Sequence, residues 1–213
     1  MAQPGKKLLC LHGYTQDGAT FRSRTGSLRS KALKSLKCEY EFVDAMHYCS
    51  PTYILAERGV EEQKGWFNPI EDDRSTRPVD SRGWVGWDES LAMLRHIVEK
   101  EDFIGILGFS QGAAVAGLLA ALYPHKFCFI ILVSGFTPLD EKVDALYPQE
   151  PIHVPSLHIM GTSDPLVSIE RSAALAEKFV SPRVLVHDAG HVLPPKELLK
   201  DIKEWIESLS FDD

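Results

Sequence analysis

Residues 103–117 read Phe103-Ile104-Gly105-Ile106-Leu107-Gly108-Phe109-Ser110-Gln111-Gly112-Ala113-Ala114-Val115-Ala116-Gly117. The residues before Ser110 are apolar or glycine, which is typical of a strand buried on both faces. Those after Ser110 are small and apolar, which favours a helix packed closely on a sheet. The pattern G-x-S-x-G joins the two halves. The stretch therefore predicts a strand, a sharp turn at Ser110 and a helix.

This turn also predicts chemistry at Ser110. A serine on a strand-to-helix turn has a strained backbone, and the residues two before and two after it must be small to avoid collision. Gly108 and Gly112 meet that requirement. The short pattern by itself also fits a tight turn with a buried serine, but the flanking strand and helix favour a catalytic nucleophile. We also predict that the backbone N–H of Gln111, at the start of the helix, helps to bind the oxyanion.

Outward from this stretch, apolar runs alternate with helix-patterned segments along the whole chain. We predict strands at residues 7–12, 39–43, 103–109, 127–133, 156–160 and 184–187, and helices at residues 21–36, 88–100, 111–123, 168–180 and 195–208. Right-handed crossovers between such strands give an α/β fold, with a six-stranded, mostly parallel sheet and helices on both faces. A chain of 213 residues fits one hydrophobic core, so we predict a single domain over residues 1–213.

A serine hydroxyl needs a base to remove its proton. When the serine lies on such a strand-to-helix turn, called a nucleophile elbow, the acid and the base follow it along the chain in the order Asp, then His. His191 lies in a loop between the last predicted strand and the final helix, where it would reach the elbow. His158 and His187 fall inside predicted strands instead. We therefore predict that His191 is the base.

Two aspartates compete to orient His191. Asp164 follows the preceding strand, as the triad arrangement requires, whereas Asp188 lies three residues before the base in the same loop. Aspartates in turns often bind local backbone, which favours a structural role for Asp188. Asp164 has a structural interpretation too, as a cap for the helix at 168–180. We predict Asp164 as the acid of the triad.

The oxyanion needs a second backbone donor, from the loop after the first sheet strand. In residues 11–18 we predict Tyr14 as this donor, with Thr15 as the second choice, because Gly13 leaves the backbone free to turn an amide inward. His12 lies beside them. We expect it to brace the loop through a hydrogen bond, since His191 already fills the position of the base.

Residues 44–87 form a long segment rich in proline, glycine and charge that does not follow the α/β pattern. It contains Trp66, Phe67, Trp84 and Trp87, which argue against disorder. Long loops in compact domains are often functional, so the segment is expected to cover part of the active site. The alternative is that the four rings plug the edge of the core.

Composition and charge exclude several classes of function. Thirty acidic residues against 23 Lys and Arg give a net charge of −7, which argues against nucleic acid as a partner. The basic residues within 22–37 have helix-like spacing and are interpreted as a solvated helix face. No apolar run is long enough to span a bilayer, and the N-terminus is unlike a secretory signal. The cysteines lack metal-site spacing, so we expect reduced thiols, a cytoplasmic location with the nucleus as the alternative, and no metal or organic cofactor.

Several stretches together resemble the fungal serine hydrolase family and its animal relatives, within the α/β-hydrolase superfamily. They are residues 9–13 (LCLHG), 87–91 (WDESL), 108–113 (GFSQGA), 155–159 (PSLHI), 161–164 (GTSD) and 190–194 (GHVLP). The resemblance runs nearly end to end. It implies a carboxylesterase for small-molecule acyl esters, without a large cap domain, and a triad of Ser110, Asp164 and His191.

Two alternatives remain open on the sequence. The same machinery attacks thioesters, so an acyl thioesterase fits equally well. A hydrolase fold that only binds a ligand is a different class of function, because fold does not dictate activity.

Overall fold

Six parallel strands form the central sheet, for which the computed structural model describes residues 7–49, 63–70 and 79–210. The strands are β1 (Lys7–Leu11), β2 (Glu39–Val43), β3 (Phe103–Phe109), β4 (Phe129–Val133), β5 (Ser156–Gly161) and β6 (Arg183–His187). Their order across the sheet is β6-β5-β4-β3-β1-β2. The prediction of six parallel strands is confirmed, and β2 and β3 have the predicted bounds.

Helices cover both faces of this sheet. They are α1 (Gly18–Arg24), α2 (Gly26–Lys31), α3 (Trp87–Lys100), α4 (Gln111–Leu122), α5 (Glu141–Asp144), α6 (Ile169–Ala176) and α7 (Leu199–Ser208). Alternate residues of β1 point to opposite faces, with Leu9 and Leu11 in one core layer and Leu8 and Cys10 in the other. Helices α3, α4 and α6 pack in the first layer, and α1, α2 and α7 in the second.

The prediction of a single helix over residues 21–36 is wrong. The segment is divided into α1, α2 and a short 3-10 turn at Lys34–Leu36. The break lies at Thr25, whose buried hydroxyl donates to the carbonyl of Phe21 at 2.7 Å. Gly26 follows directly and weakens helix propagation. A local hydrogen bond and a glycine therefore interrupt a pattern that is continuous in the sequence.

The helix predicted over residues 168–180 is also too long, because α6 ends at Ala176. Beyond it the chain pairs with another segment: Ile152 donates its backbone N–H to Lys178 at 2.8 Å, and Val180 donates to Ile152 at 2.9 Å. This pairing is long-range, so helical periodicity could not reveal it.

The site of interest is set by the strand order. β2 and β3 lie on opposite sides of β1, so the connections after β1 and β3 leave the sheet in opposite directions. In an open parallel sheet, the crevice at such a switch point is where ligands bind. The loop that begins at His12 follows β1, and Ser110 follows β3.

Little chain covers this edge after β4. Residues 134–155 contain one short helix, α5, which agrees with the expectation that no large cap domain is inserted there. Two short antiparallel ribbons lie elsewhere, pairing His47–Tyr48 with Lys64–Gly65 and Asn68–Pro69 with Trp84–Val85. Within the described ranges, no helix is both long and apolar enough to cross a bilayer. The single domain over residues 1–213 stays a prediction.

Candidate active site

Ser110 lies on the predicted sharp turn between β3 and α4. Its backbone has φ 53° and ψ −118°, a strained conformation for a residue with a side chain. The turn is held by the N–H of Ser110, which donates to the carbonyl of Val133 at 2.8 Å. A side chain at Gly112 would collide with the carbonyls of Leu11 and His12, and one at Gly108 would approach the carbonyl of Gly112 to 2.5 Å. Both glycines are therefore required by the close packing of α4 on β1 and β3.

His191 and Asp164 meet although they come from different loops. The Nδ1 of His191 lies 2.7 Å from a carboxylate oxygen of Asp164. The other oxygen of Asp164 accepts the backbone N–H groups of Leu166 and Val167 at 2.8 and 2.9 Å. Three hydrogen bonds thus fix the carboxylate, so that Nδ1 carries the proton of the imidazole and Nε2 is left as its basic nitrogen.

The same contacts keep Asp164 ionised. Its side chain is 1% exposed, against 14% for His191. Burial alone raises the pKa of the Asp164 carboxyl, but the hydrogen bonds from His191, Val167 and Leu166 lower it more, and the pKa lies below its ordinary value. This ionised carboxylate at Nδ1 holds the imidazole of His191 in one orientation.

The sequence left two alternatives to Asp164 as the partner of His191: Asp164 could instead cap α6, or Asp188 could bind the imidazole. The side chain that caps α6 is Ser168, which accepts the N–H of Arg171, so Asp164 is not the cap of this helix. Asp188 is exposed, and the carboxylate bound to His191 is that of Asp164. The structure therefore brings Asp164, and not Asp188, to the imidazole.

The loop after β1 contributes to the same region. Tyr14 and Thr15 both line the cavity that contains Ser110 and His191. The backbone N–H of Thr15 is donated to the carbonyl of Lys64 at 3.0 Å, which makes it unsuitable as an oxyanion donor. Gln111 is the first residue of α4, where N–H groups lack partners within the helix. Tyr14 and Gln111 stay the predicted donors.

His12 braces the loop as expected. Its ring is fully buried, with Nδ1 2.8 Å from the carbonyl of Gly13 and Nε2 3.0 Å from the N–H of Ala45. The two contacts define a neutral tautomer that donates through Nδ1 and accepts through Nε2. Burial lowers the pKa of His12, which keeps the ring neutral. Both nitrogens are occupied, so His12 has none left for proton transfer.

The side chain of Gln111 has a role that sequence reasoning missed. It is 1% exposed, and its amide accepts the N–H of Trp66 at 2.7 Å and donates to the carbonyl of Phe67 at 2.8 Å. Tyr14 donates its hydroxyl to the side chain of Asn68 at 2.6 Å. Residues 63–70 are thereby tied to the elbow and to the loop after β1. No local sequence signal distinguishes this glutamine from a solvated one.

A cavity of about 470 Å³ lies over Ser110, and Gln111 and His191 are also part of its lining. Apolar side chains make up much of the remaining wall, contributed by Val79, Phe109, Phe136, Leu166 and Val167. The polar part comes from residues 13–16 and Arg24. A small apolar group next to Ser110 would therefore be accommodated.

The tryptophans and the phenylalanine of the 44–87 segment do not line this cavity. Trp66, Phe67, Trp84 and Trp87 all belong to the core layer of α3 and α4, with at most 9% exposure. The rings of Phe67 and Trp84 are stacked with centroids 3.5 Å apart. The core-plug alternative is thus correct for the rings, whereas Val79 of the same segment reaches the cavity. Residues 50–62 and 71–78 of the segment lie outside the described residues.

Comparisons with known proteins identify the family of this chain. The serine hydrolase (FSH1) family matches residues 1–202. An esterase of Anopheles gambiae is 36% identical over 202 residues, covering 92% of this chain and 74% of the relative. Esterase OVCA2 of Danio rerio is 35% identical over 209 residues, covering 88% and 90%.

A solved structure shows the fold. SOBER1 of Arabidopsis thaliana superposes with a TM-score of 0.69 at 22% identity, covering 95% of this chain and 97% of its own. At this identity the likeness is one of fold alone. Together with the sheet order, it confirms the predicted α/β-hydrolase fold.

Proposed function

Because the chain belongs to the FSH1 serine hydrolase family, we propose that it is a carboxylesterase that cleaves small-molecule acyl esters through an acyl-Ser110 intermediate. The main observation in support of this proposal is that Ser110 and His191 line one cavity, and that Asp164 is hydrogen-bonded to His191 at 2.7 Å. The relatives are named as esterases, which supports the same reaction class.

The first half-reaction forms the acyl-enzyme. The hydroxyl oxygen of Ser110 attacks the ester carbonyl while Nε2 of His191 takes its proton. Negative charge moves to the carbonyl oxygen, where the backbone N–H groups of Gln111 and Tyr14 bind it. The tetrahedral intermediate then collapses, and His191 gives the proton to the departing alcohol. Asp164 holds the imidazole in the required tautomer throughout.

The second half-reaction regenerates the enzyme. A water molecule gives a proton to Nε2 of His191 and attacks the acyl carbonyl, and Ser110 leaves with the proton that His191 returns. The products are a carboxylic acid and the free enzyme. Each step uses side chains and backbone groups of this chain alone.

The acyl group would lie against the apolar part of the cavity wall. Val79, Phe136 and Val167 are buried members of the core and form a fixed surface, whereas Leu166 is 44% exposed at its edge. A cavity of about 470 Å³ fits acyl chains of short to medium length. The tryptophans do not extend it into a channel within the described residues, so long chains would project into solvent.

Active-site labelling tests the nucleophile. Purified protein is incubated with a fluorophosphonate, and the adduct is mapped by peptide mass spectrometry in wild type, Ser110→Ala and Ser30→Ala. Ser30 is an exposed serine on α2 and serves as the matched control. We expect a stoichiometric adduct on Ser110 in wild type and in Ser30→Ala, and none in Ser110→Ala. An unlabelled Ser110 in folded wild-type protein would support a ligand-binding protein without turnover.

Substrate profiling tests the reaction. Nitrophenyl esters with acyl chains of increasing length are compared by kcat/KM, and matched oxygen and thiol esters separate a carboxylesterase from a thioesterase. We expect a maximum at short to medium chains and faster turnover of the oxygen ester. If no chain length were hydrolysed by fluorophosphonate-reactive protein, the carboxylesterase proposal would be wrong.

A further inference from the structure

Arg24 is the only permanently charged side chain among the described residues that line the cavity. It lies at the last position of α1 and is exposed. The reaction proposed above has no use for it, since the nucleophile, base, acid and oxyanion donors are other residues. In the sequence, nothing distinguishes Arg24 from the other basic residues of 22–37. Its position at the cavity is a product of the fold.

The cavity has two chemically different sides. Val79, Phe136 and Val167 belong to the core layer on the face of α3, α4 and α6. Arg24 lies on α1, which packs against the opposite face of the sheet through Phe21. Most of the apolar wall and Arg24 are therefore contributed from opposite faces of the sheet, whereas Phe109, directly before Ser110, belongs to the layer of α1. A substrate attached at Ser110 would place one part on the apolar wall and the other near Arg24.

Two acidic residues at the start of α1 are engaged there. Asp17 caps the start of α1 by accepting the N–H of Thr20 at 2.6 Å. Asp44 accepts the N–H of Gly18 at 2.7 Å, and its other oxygen lies 3.8 Å from Nζ of Lys64. Both are at the opposite end of α1 from Arg24. In the described part of the chain, the side chain of Arg24 makes no ion pair.

We propose that the physiological substrate carries an anionic oxygen group, a carboxylate or a phosphate, on its leaving-group side, and that Arg24 binds this group. The inference rests on the proposed esterase function and adds the substrate class. A guanidinium offers a planar pair of N–H donors that matches either anion. The net charge of −7 repels anions at long range, so a local cation is needed to hold one at this site.

The test uses aryl esters that share one acyl group and differ in the meta substituent of the leaving group, which is neutral in one ester and anionic in two. Three butyryl esters are compared, of 3-hydroxybenzamide, 3-hydroxybenzoate and 3-hydroxyphenyl phosphate, with the neutral amide as the reference. For wild type we expect a higher kcat/KM for at least one anionic ester than for the amide, mainly through KM. In Arg24→Gln the ratio of anionic to neutral kcat/KM should fall about five- to tenfold, the size expected for a partly solvated charged hydrogen bond.

Matched variants separate binding from structure. Arg22→Gln removes an equally exposed arginine on the same helix, whose guanidinium lies 5.6 Å from the ring centroid of Phe42, and should leave the ratio unchanged. Arg24→Lys keeps the charge and should restore part of the ratio. Rising salt should lower the anionic preference of wild type and not that of Arg24→Gln.

A further ester places the charge on the other side. The mono-succinate ester of 3-hydroxybenzamide carries its carboxylate on the acyl group, and its kcat/KM should be low and insensitive to Arg24. The inference is overturned if the anionic preference is absent in wild type, unchanged in Arg24→Gln, or confined to the succinate. In each case, hydrolysis of the butyryl ester of 3-hydroxybenzamide by wild type shows that the esterase function itself stands.

Discussion

His12 and His191 lie in loops at the same edge of the sheet, the first after β1 and the second after β6. The ring of His12 is fully buried, and both of its nitrogens contact backbone groups. His191 has only Nδ1 engaged, by Asp164, and its ring lines the cavity with Ser110. One loop thus holds a histidine with both ring nitrogens engaged, and the other holds a histidine with one ring nitrogen free to accept a proton.

The difference shows what the site requires of a base. A histidine becomes useful when one nitrogen is fixed by an acceptor and the other faces the substrate. In His12 an acceptor, the carbonyl of Gly13, fixes Nδ1, but Nε2 already accepts the N–H of Ala45 and does not face the substrate. Its contribution is therefore to hold the loop that contains Tyr14. Loss of His191 should therefore affect catalysis, and loss of His12 should affect stability.

The largest effect is expected for His191→Ala. Removing the base should lower kcat by about 10⁴- to 10⁶-fold, with little change in the free energy of unfolding. Steady-state kinetics with a nitrophenyl ester and urea denaturation measure both quantities. His125→Ala, an exposed histidine after α4, is the control and should match wild type. A kcat within tenfold of wild type would assign the base elsewhere.

The two aspartates near His191 give the next largest difference. Asp164→Asn keeps the shape but reverses the hydrogen-bonding preference at Nδ1, and should lower kcat about 10³- to 10⁴-fold. Asp188→Asn alters an exposed residue three positions before the base and should change kcat less than about threefold. Comparable losses in both variants would contradict the assignment of the acid.

His12→Leu should act on stability. The substitution leaves the buried N–H of Ala45 without a partner, and the carbonyl of Gly13 keeps only its hydrogen bond from Gln16, which costs about 1–3 kcal/mol of unfolding free energy. The folded fraction should still react with a fluorophosphonate at Ser110. If His12→Leu were as stable as wild type but as inactive as His191→Ala, His12 would take part in proton transfer.

The smallest effect concerns pH. Burial lowers the pKa of His12 from 6.5 and that of His158 to about 3, so both rings are neutral in the folded protein while the unfolded chain takes up protons below pH 6.5. The free energy of unfolding should therefore fall as the pH drops from 6.5 to 5. The lowered pKa of Asp164 has an effect only at lower pH, because an ordinary aspartate is already ionised at pH 5.

His12→Leu removes one of the two histidines that take up a proton on unfolding in this pH range. The pH dependence of unfolding between 6.5 and 5 should become shallower by up to about 1.4 kcal/mol per pH unit. Urea denaturation at several pH values measures this slope. A slope that is unchanged from wild type would mean that His12 is protonated in the folded protein.

Much of the fold could be predicted because its signals are local. β2 and β3 have the predicted bounds, and the turn at Ser110 follows from two glycines within two residues of the serine. Helix ends were less predictable. Thr25 divides one predicted helix through a hydrogen bond to Phe21, and pairing with Ile152 follows the end of α6. Such competing contacts leave no trace in helical periodicity.

The sequence by itself predicted the strand, the sharp turn at Ser110 and the helix that follows, since these three elements are contiguous and their residues are constrained by one another. The tertiary structure alone decided which carboxylate meets His191, which backbone donor of the first loop is already engaged, and that Arg24 reaches the cavity. The reason is physical: these groups lie far apart along the chain, and only the packing of helices on both faces of the sheet sets the distances between them.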